Sequence, residues 1–488
     1  MIGRINEISI LNNLCNSSKS ELLALYGRRR IGKTYLINYM FNEHKKECTF
    51  FRFTGSYELD NSTQIENFIE SIYDWFKVEP TKDINSWSKA FIFLKRVITS
   101  HQSKNGKFVL FIDEIPWIDK KNNNGFLGAL GHFWNDFCEP NKNIIMIICG
   151  SNSSWIKNKI FEDSNGPLYQ RLTEKIHLKP FDLKETKEYL LNEKGFLIDD
   201  KTVVELYMIF GGVAKYLSFL NPKKRIDENI DELFFRIDGH LNKEFTTIFK
   251  SLYQDRASFL ISIINFLSSK QSGFTLNEIA DGLEIKVGAK LKNGVEDLLE
   301  CGFIHGLSKF NSKINTKYII SDPYILFYQK WLNDKSKNDI MNLSLPYWNS
   351  IATSQKYNIW SGFAFETVCL TNIDLYLDVR KTKGLMRSYS YWNYKSDNKN
   401  EQGAQIDILI EYTNNVYEIV ECKFYNDEFE ITDSYRKNIL NKINMFSKYG
   451  VKGKFELKFA MLTSYGCKRN SHFNSLQIAD DVKISQLI

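Results

Sequence analysis

The sequence predicts an α/β protein whose first part is a doubly wound, P-loop-containing parallel sheet, on three observations. Apolar runs of strand length at 22–26, 48–53, 108–112 and 144–149 alternate with helix-period stretches, the pattern of a parallel sheet covered on both faces. The first run leads directly into Gly27-Arg28-Arg29-Arg30-Ile31-Gly32-Lys33-Thr34, a G-x-x-x-x-G-K-T phosphate loop. The run at 108–112 ends in Asp113-Glu114, an acidic pair where the opposite side of such a loop needs one.

Each residue of the loop has a physical task. Gly27 and Gly32 let backbone N–H groups close around phosphate oxygens, Lys33 supplies a point charge to the β and γ phosphates, and the Thr34 hydroxyl reaches Mg²⁺. Asp113 is placed to hold the ion's hydration shell, and Glu114 to polarise the water that attacks the γ-phosphate. The run at 144–149 leads into Gly150-Ser151-Asn152, which puts Asn152 or Ser151 where a small polar side chain senses that phosphate. An alternating segment at 176–181 supplies a last strand, with Arg171 before it near the sheet's functional edge. There it can act as an arginine finger, on a neighbouring subunit of a homo-oligomer.

At 488 residues the chain is too long for one core and predicts about three or four units. A net charge of +6, left over from 64 basic and 58 acidic side chains, permits a polyanionic partner without requiring one. Eight cysteines without C-x-x-C spacing read as buried thiols of a reducing compartment, not as zinc ligands or disulfides. No apolar run approaches the ~18 residues of a membrane span, so the expectation is a cytoplasmic protein with no membrane partner.

Beyond the core at 1–181, helix-period runs at 186–192, 203–210 and 226–249 predict a helical lid over 182–252. Helical runs at 257–267, 275–283 and 287–299, followed by an extended pair bracketing 311–316, predict a winged helix over 253–338. Its third helix begins with Lys286, Lys290 and Lys292 and ends with Glu296, Asp297 and Glu300, so a groove-reading role falls to its basic start.

The last segment, 339–488, carries a predicted hairpin: 403–412, the turn Thr413-Asn414-Asn415, then 416–424. Pairing Tyr412 with Val416 puts Asp407 opposite Glu421, with Lys423 on the same face and Ile406, Ile408, Ile410, Val420, Cys422 and Phe424 on the other. Facing carboxylates cost stability, and a divalent cation between them is the simplest reason to keep them. Arg436, Lys437 and Lys442 follow on a helical stretch, while Arg380, Lys381, Lys383 and Arg387 precede Tyr389, Tyr391, Trp392 and Tyr394. Interleaved cations and aromatic rings suit nucleic acid.

Two resemblances bear on these motifs. Met1-Ile2-Gly3-Arg4 with Glu7, GRRRIGKT, FIDEIPW from Phe111 to Trp117, CGSNSSWI from Cys149 to Ile156, GPLYQR and LKPF together resemble the prokaryotic AAA-type, STAND-like ATPases of archaea and bacteria. That resemblance implies ATP as cofactor and places the residues matching Gly3-Arg4 and Arg171 at the nucleotide site. The chain departs from the family at Ala214, where a proline is usual. The Asp407, Glu421-x-Lys423 arrangement is similar to the PD-(D/E)xK, restriction-endonuclease-like fold, in which the matching acids bind Mg²⁺ and the lysine is catalytic. In the same family the glutamate corresponding to Glu366, within Trp360-Ser361-Gly362-Phe363-Ala364-Phe365-Glu366, adds an acidic group. The expectation is an ATP-hydrolysing switch that acts on nucleic acid, DNA ahead of RNA, with Mg²⁺-dependent phosphodiester cleavage. The alternative is a scaffold whose last domain binds without cutting.

Overall fold

A computed structural model describes all residues except 46, 81–82, 102–105, 120–123, 313–314 and 397–400. The chain divides into two compact units, Met1–Pro180 and Phe181–Ile488. The break falls within a residue of the predicted end of the nucleotide core. The three later segments fall in the second unit, whose large core includes Phe210, Tyr324, Phe365 and Ile410.

The first unit holds β1 (Glu21–Tyr26), β2 (Thr49–Thr54), β3 (Phe108–Asp113), β4 (Ile144–Gly150) and β5 (Glu174–His177). They form a parallel sheet in the order β2-β3-β4-β1-β5. Because successive strand residues point to opposite faces, Leu22 and Ala24 of β1 enter one core layer and Leu23 and Leu25 the other. Burial on both faces explains why these strands read as unbroken apolar runs. The fifth strand begins and ends earlier than the sequence suggests: 178–181 leaves the sheet, and Leu178 keeps one bond, its N–H donating to the Tyr26 carbonyl at 2.8 Å.

In the second unit, helices Leu183–Glu188, Asp200–Phe210, Ala214–Ser218, Ile226–Phe234 and Glu244–Tyr253 come first. The single helix expected over 226–249 is two. Its apolar periodicity persists, but the backbone turns at Gly239, whose N–H donates to the Arg236 carbonyl at 3.0 Å, and Leu241 N–H returns to the Leu233 carbonyl at 2.9 Å. Next come helices Ala257–Leu267, Leu276–Gly282 and Ala289–Glu300, interleaved with β6 (Phe274–Thr275), β7 (Ile304–Ser308) and β8 (Thr316–Ile320) in a sheet of order β6-β8-β7. Part of the tip between β7 and β8, 313–314, lies outside the described residues.

The last sheet has the order β13-β12-β11-β10-β9, from β9 (Met386–Tyr394), β10 (Ala404–Tyr412), β11 (Val416–Lys423), β12 (Glu456–Thr463) and β13 (Asp480–Lys483). Helix Gln355–Thr371 packs into the large core on one face, and helix Asp433–Tyr449 covers the other through Ile439 and Phe446. A buried charge network ties this sheet together. The fully buried Glu418 accepts from the Arg380 guanidinium at 2.7 Å and from the Tyr412 hydroxyl at 2.6 Å, while Arg380 also pairs with Asp480. Arg380 is therefore spent inside the protein. Removing it strands a carboxylate in the core, so Arg380→Ala is expected to cost about 3–5 kcal/mol in denaturant unfolding of this unit.

Candidate functional site

The phosphate loop stands at the carboxyl end of β1, the edge where open parallel sheets bind ligands. Gly27 has φ +139° and Gly32 φ +97°, and a Cβ at Gly27 would stand 2.2 Å from the Leu178 carbonyl oxygen, so a side chain there is excluded by space as well as by backbone. Lys33, nearly buried, donates to the Gly27 and Arg28 carbonyls at 2.8 Å each, which holds its ammonium inside the loop. The Thr34 hydroxyl donates to Asp113 Oδ2 at 2.7 Å, so the two oxygen donors that can hold a divalent cation already touch.

Glu114 takes a left-handed backbone conformation (φ 50°), and its carboxylate accepts from the Ser151 hydroxyl at 2.8 Å and the Ser151 N–H at 3.3 Å. Ser151 is thus the strand-tip group tied to Glu114. Asn152 instead caps the helix after it, accepting from Trp155 N–H at 3.0 Å. Arg28 is buried in the loop, Arg29 lies 5.0 Å from the Trp117 ring, Arg30 has φ 70°, and Ile31 packs beneath. Arg4 is also buried here, and its guanidinium donates to the Ile31 carbonyl at 3.3 Å.

Arg171 is not at this edge. Leu23 of β1 pairs with Glu174 of β5, and the strands are parallel, so a residue three before Glu174 lies at the strands' amino ends. There Arg171 faces Glu139 at 3.7 Å, with both side chains nearly half exposed. What changes is the placement: a residue that precedes a parallel strand stands at the end opposite its own chain's phosphates.

In the last sheet the register is the one the turn dictates: Ile408 pairs with Val420, Leu409 with Ile419, Ile410 with Glu418 and Glu411 with Tyr417. The ladder stops one step short of Asp407 and Glu421. On its other side β10 carries an irregularity between Ile406 and Leu409 in its pairing with β9. The expected alternation is broken accordingly: Ile406 joins Leu409 in one core layer, while Ile408 and Ile410 lie in the other. A bulge re-aims its neighbours' side chains. Asp407 lines a cleft with Glu366, and Gln405 donates to its Oδ1 at 2.5 Å.

Glu421 accepts from the Tyr435 hydroxyl at 3.1 Å, pairs with Lys442 through its other oxygen, and lies 3.9 Å from Lys423 Nζ. Lys423 also stacks 5.2 Å from the Tyr435 ring. Burial first, and then the charges of Asp407 and Glu421, push the Glu366 carboxyl up to about 8 against the partial relief of Lys423 and Lys442. Asp407, Glu421, Lys423 and Lys442 are therefore all near enough to act on Glu366. Among the described residues no three His, Cys, Asp or Glu side chains stand close enough to hold a metal ion by themselves.

Gln405 and Tyr435 were not foreseen, and Lys442 was expected at phosphates instead of on Glu421. Tyr435 and Lys442 stand two helical turns apart, which puts them on one face of the helix Asp433–Tyr449; that spacing is the signal that could have found them. The basic and aromatic stretch at 380–394, which runs into β9, is largely structural. Lys383 pairs with Asp374 and Asp378 at 3.5 Å each, Arg387 meets Glu411 at 4.0 Å, and Tyr391 and Trp392 are buried.

Residues 1–220 match a family described as an ATPase domain predominantly from Archaea. The chain is 25% identical over 467 residues to the "uncharacterized protein MJECL04" of Methanocaldococcus jannaschii, covering 92% of this chain and 94% of that protein. It is 47% identical over 45 residues to the "uncharacterized ATP-binding protein MJ0423" of the same organism, which is 9% of this chain and 75% of that one. In fold it is similar to the Walker-type ATPase PABY2304 of Pyrococcus abyssi, with a TM-score of 0.50 at 17% identity, over 68% of this chain and 96% of that one. Among the described residues no helix is long and apolar enough to cross a membrane. With its phosphate loop, acidic strand end and parallel sheet in place, the N-terminal part of this chain has the P-loop nucleotide-binding architecture and is similar over residues 1–220 to that ATPase family.

Proposed function

We propose that this chain is an ATP-driven switch whose C-terminal sheet is a PD-(D/E)xK-type nuclease acting on DNA, with the middle segment a winged helix. The observation that carries the nuclease half is the meeting of Glu366, Asp407 and Glu421 with Lys423 and Lys442 at the end of β10 and β11. Packing alone has no use for a buried glutamate set beside two further carboxylates that hold it protonated, whereas a site for a divalent cation does.

The donors suit Mg²⁺. Carboxylate oxygens are its ordinary protein ligands, and it commonly takes only one or two of them beside water and substrate phosphate, so Asp407 and Glu421 or Glu366 suffice without a closed cage. When bound, the ion would polarise the phosphoryl oxygen and favour a hydroxide nucleophile. The chain's own part is to position and to neutralise. Lys423, beside Glu421, is placed to hold the attacking water or the negative charge that builds on phosphorus, and Tyr435 and Gln405 orient the two carboxylates. In the ATPase half, Thr34 and Asp113 fit the ion that accompanies the nucleotide, Lys33 meets its phosphates, and Glu114 aligns water.

A metal-dependent cleavage assay on single- and double-stranded DNA and RNA, with and without ATP, tests this reading. Glu421→Ala and Lys423→Ala are each expected to lower cleavage by about 100-fold or more while ATP turnover is kept. One observation favours the alternative, a domain that binds without cutting: Lys442 already neutralises Glu421. No cleavage of any of the four substrates by the parent protein would decide for it.

A further inference from the structure

We propose that the middle segment forms the second wall of the C-terminal site, where Lys317 and Lys270 hold the backbone of a single-stranded nucleic acid against Glu366 and Asp407. This rests on the nuclease reading and adds to it a substrate form and two binding residues.

The cleft that contains Glu366, Asp407 and Gln405 measures about 140 Å³, and the middle segment contributes Lys270, Lys317 and Lys330 to its lining. Acids on one wall would repel a polyanion, and cations on the other are what let it stay. Two of these lysines stand against rings: Lys317 Nζ lies 4.5 Å from the Tyr391 ring and Lys330 Nζ 6.0 Å from the Trp331 ring, with the Glu278 and Asp407 charges also acting on Lys317. Lys270 meets Glu278 at 3.7 Å, a half-exposed pair that a phosphate can displace at little cost. Burial and the neighbouring Lys270 charge together make the Lys317 ammonium easier to deprotonate than usual, a cost that an anionic ligand between them would remove.

The wall is held in place. Phe310, in the loop after β7, donates its N–H to the Tyr391 carbonyl of β9 at 2.8 Å, and its ring is buried against Tyr417 and Phe446. The Tyr391 hydroxyl donates back to the Asn315 carbonyl at 3.4 Å. Both flanks of this hairpin are thus engaged by the C-terminal sheet.

The cleft is well below the roughly 300–1,000 Å³ of a pocket that engulfs a whole small ligand, so what enters it is a segment of backbone and not a whole ligand. Phe363, 42% exposed on the same lining, offers a ring on which an unpaired base can stack.

Fluorescence anisotropy in EDTA, with labelled oligo(dT), oligo(U) and a duplex of equal length, tests this apart from cleavage. The parent is expected to bind the single strands more tightly than the duplex, and the comparison of oligo(dT) with oligo(U) separates DNA from RNA. The double variant K270E/K317E is expected to bind the single strands about tenfold more weakly, with a salt dependence shallower by about 0.7 for each phosphate no longer neutralised. If K317E disturbs folding, K270E and K317Q singly are expected to weaken binding in the same direction at an unchanged melting temperature. Parent-like affinity in all of these variants, or tighter binding of the duplex by the parent, would overturn the inference. Cleavage that survives in Glu421→Ala would overturn the nuclease reading instead, while leaving the binding comparison to decide the lysine wall.

Discussion

Lys33→Ala is expected to remove measurable ATP binding and, with it, turnover. The ammonium is held within the loop by the Gly27 and Arg28 carbonyls at 2.8 Å, so in the parent it is positioned before nucleotide arrives and little reorganisation is needed at binding. Truncation removes the only lysine of the loop and leaves two carbonyls facing the phosphates. Equilibrium binding of a fluorescent ATP analogue should fall by about 100-fold or more. Glu114→Gln separates binding from chemistry: it keeps the loop and the Ser151 contact in shape but loses the carboxylate, so bound ATP should persist while turnover falls by about 100-fold or more. Turnover at the parent rate in Glu114→Gln would remove its assignment as base.

Glu366→Gln is expected to abolish cleavage while making the protein more stable at neutral to alkaline pH. The folded protein holds the Glu366 proton up to about pH 8, against 4.5 for an ordinary glutamate. The folded state therefore binds more protons than the unfolded chain between those values, and its stability falls as pH rises through that window. Below the window both states are protonated and the group contributes nothing. Glutamine cannot ionise, so the variant escapes the loss. Its advantage should be absent near pH 4 and reach on the order of 1 kcal/mol near pH 8, or about 2–4 °C in the melting temperature, after allowance for the cleft's access to water. A melting temperature lower than the parent's at pH 8 would mean that the acids are a structural network and not a poised site.

Much of the first unit is legible because its chemistry is local. The phosphate loop, its glycines and the acidic end of β3 are contiguous motifs, and burial on both faces makes each strand a continuous apolar run. Arg171 was misplaced for want of a three-dimensional step, the direction of the strand that follows it. In the hairpin, the Thr413–Asn415 turn sets the register by itself, so Ile408 opposite Val420 follows from counting. The irregularity after Ile406 does not, because nothing in Gln405-Ile406-Asp407-Ile408 departs from alternation; the break comes from how β10 meets β9. Asn152 illustrates the same limit. Its residue type suits a phosphate sensor and a helix cap equally, and the cap becomes visible only with the helix that starts at Ser153.

The attachment of Phe310 to Tyr391 also bears on solubility. β9 is one of the two outer strands of its sheet, and an uncovered outer strand presents a row of unsatisfied amide and carbonyl groups on which a second chain can assemble. Here the β7–β8 hairpin covers part of that row from within the same polypeptide. A fragment cut off from the middle segment would expose this border, and its tendency would be to grow into fibrils or precipitate.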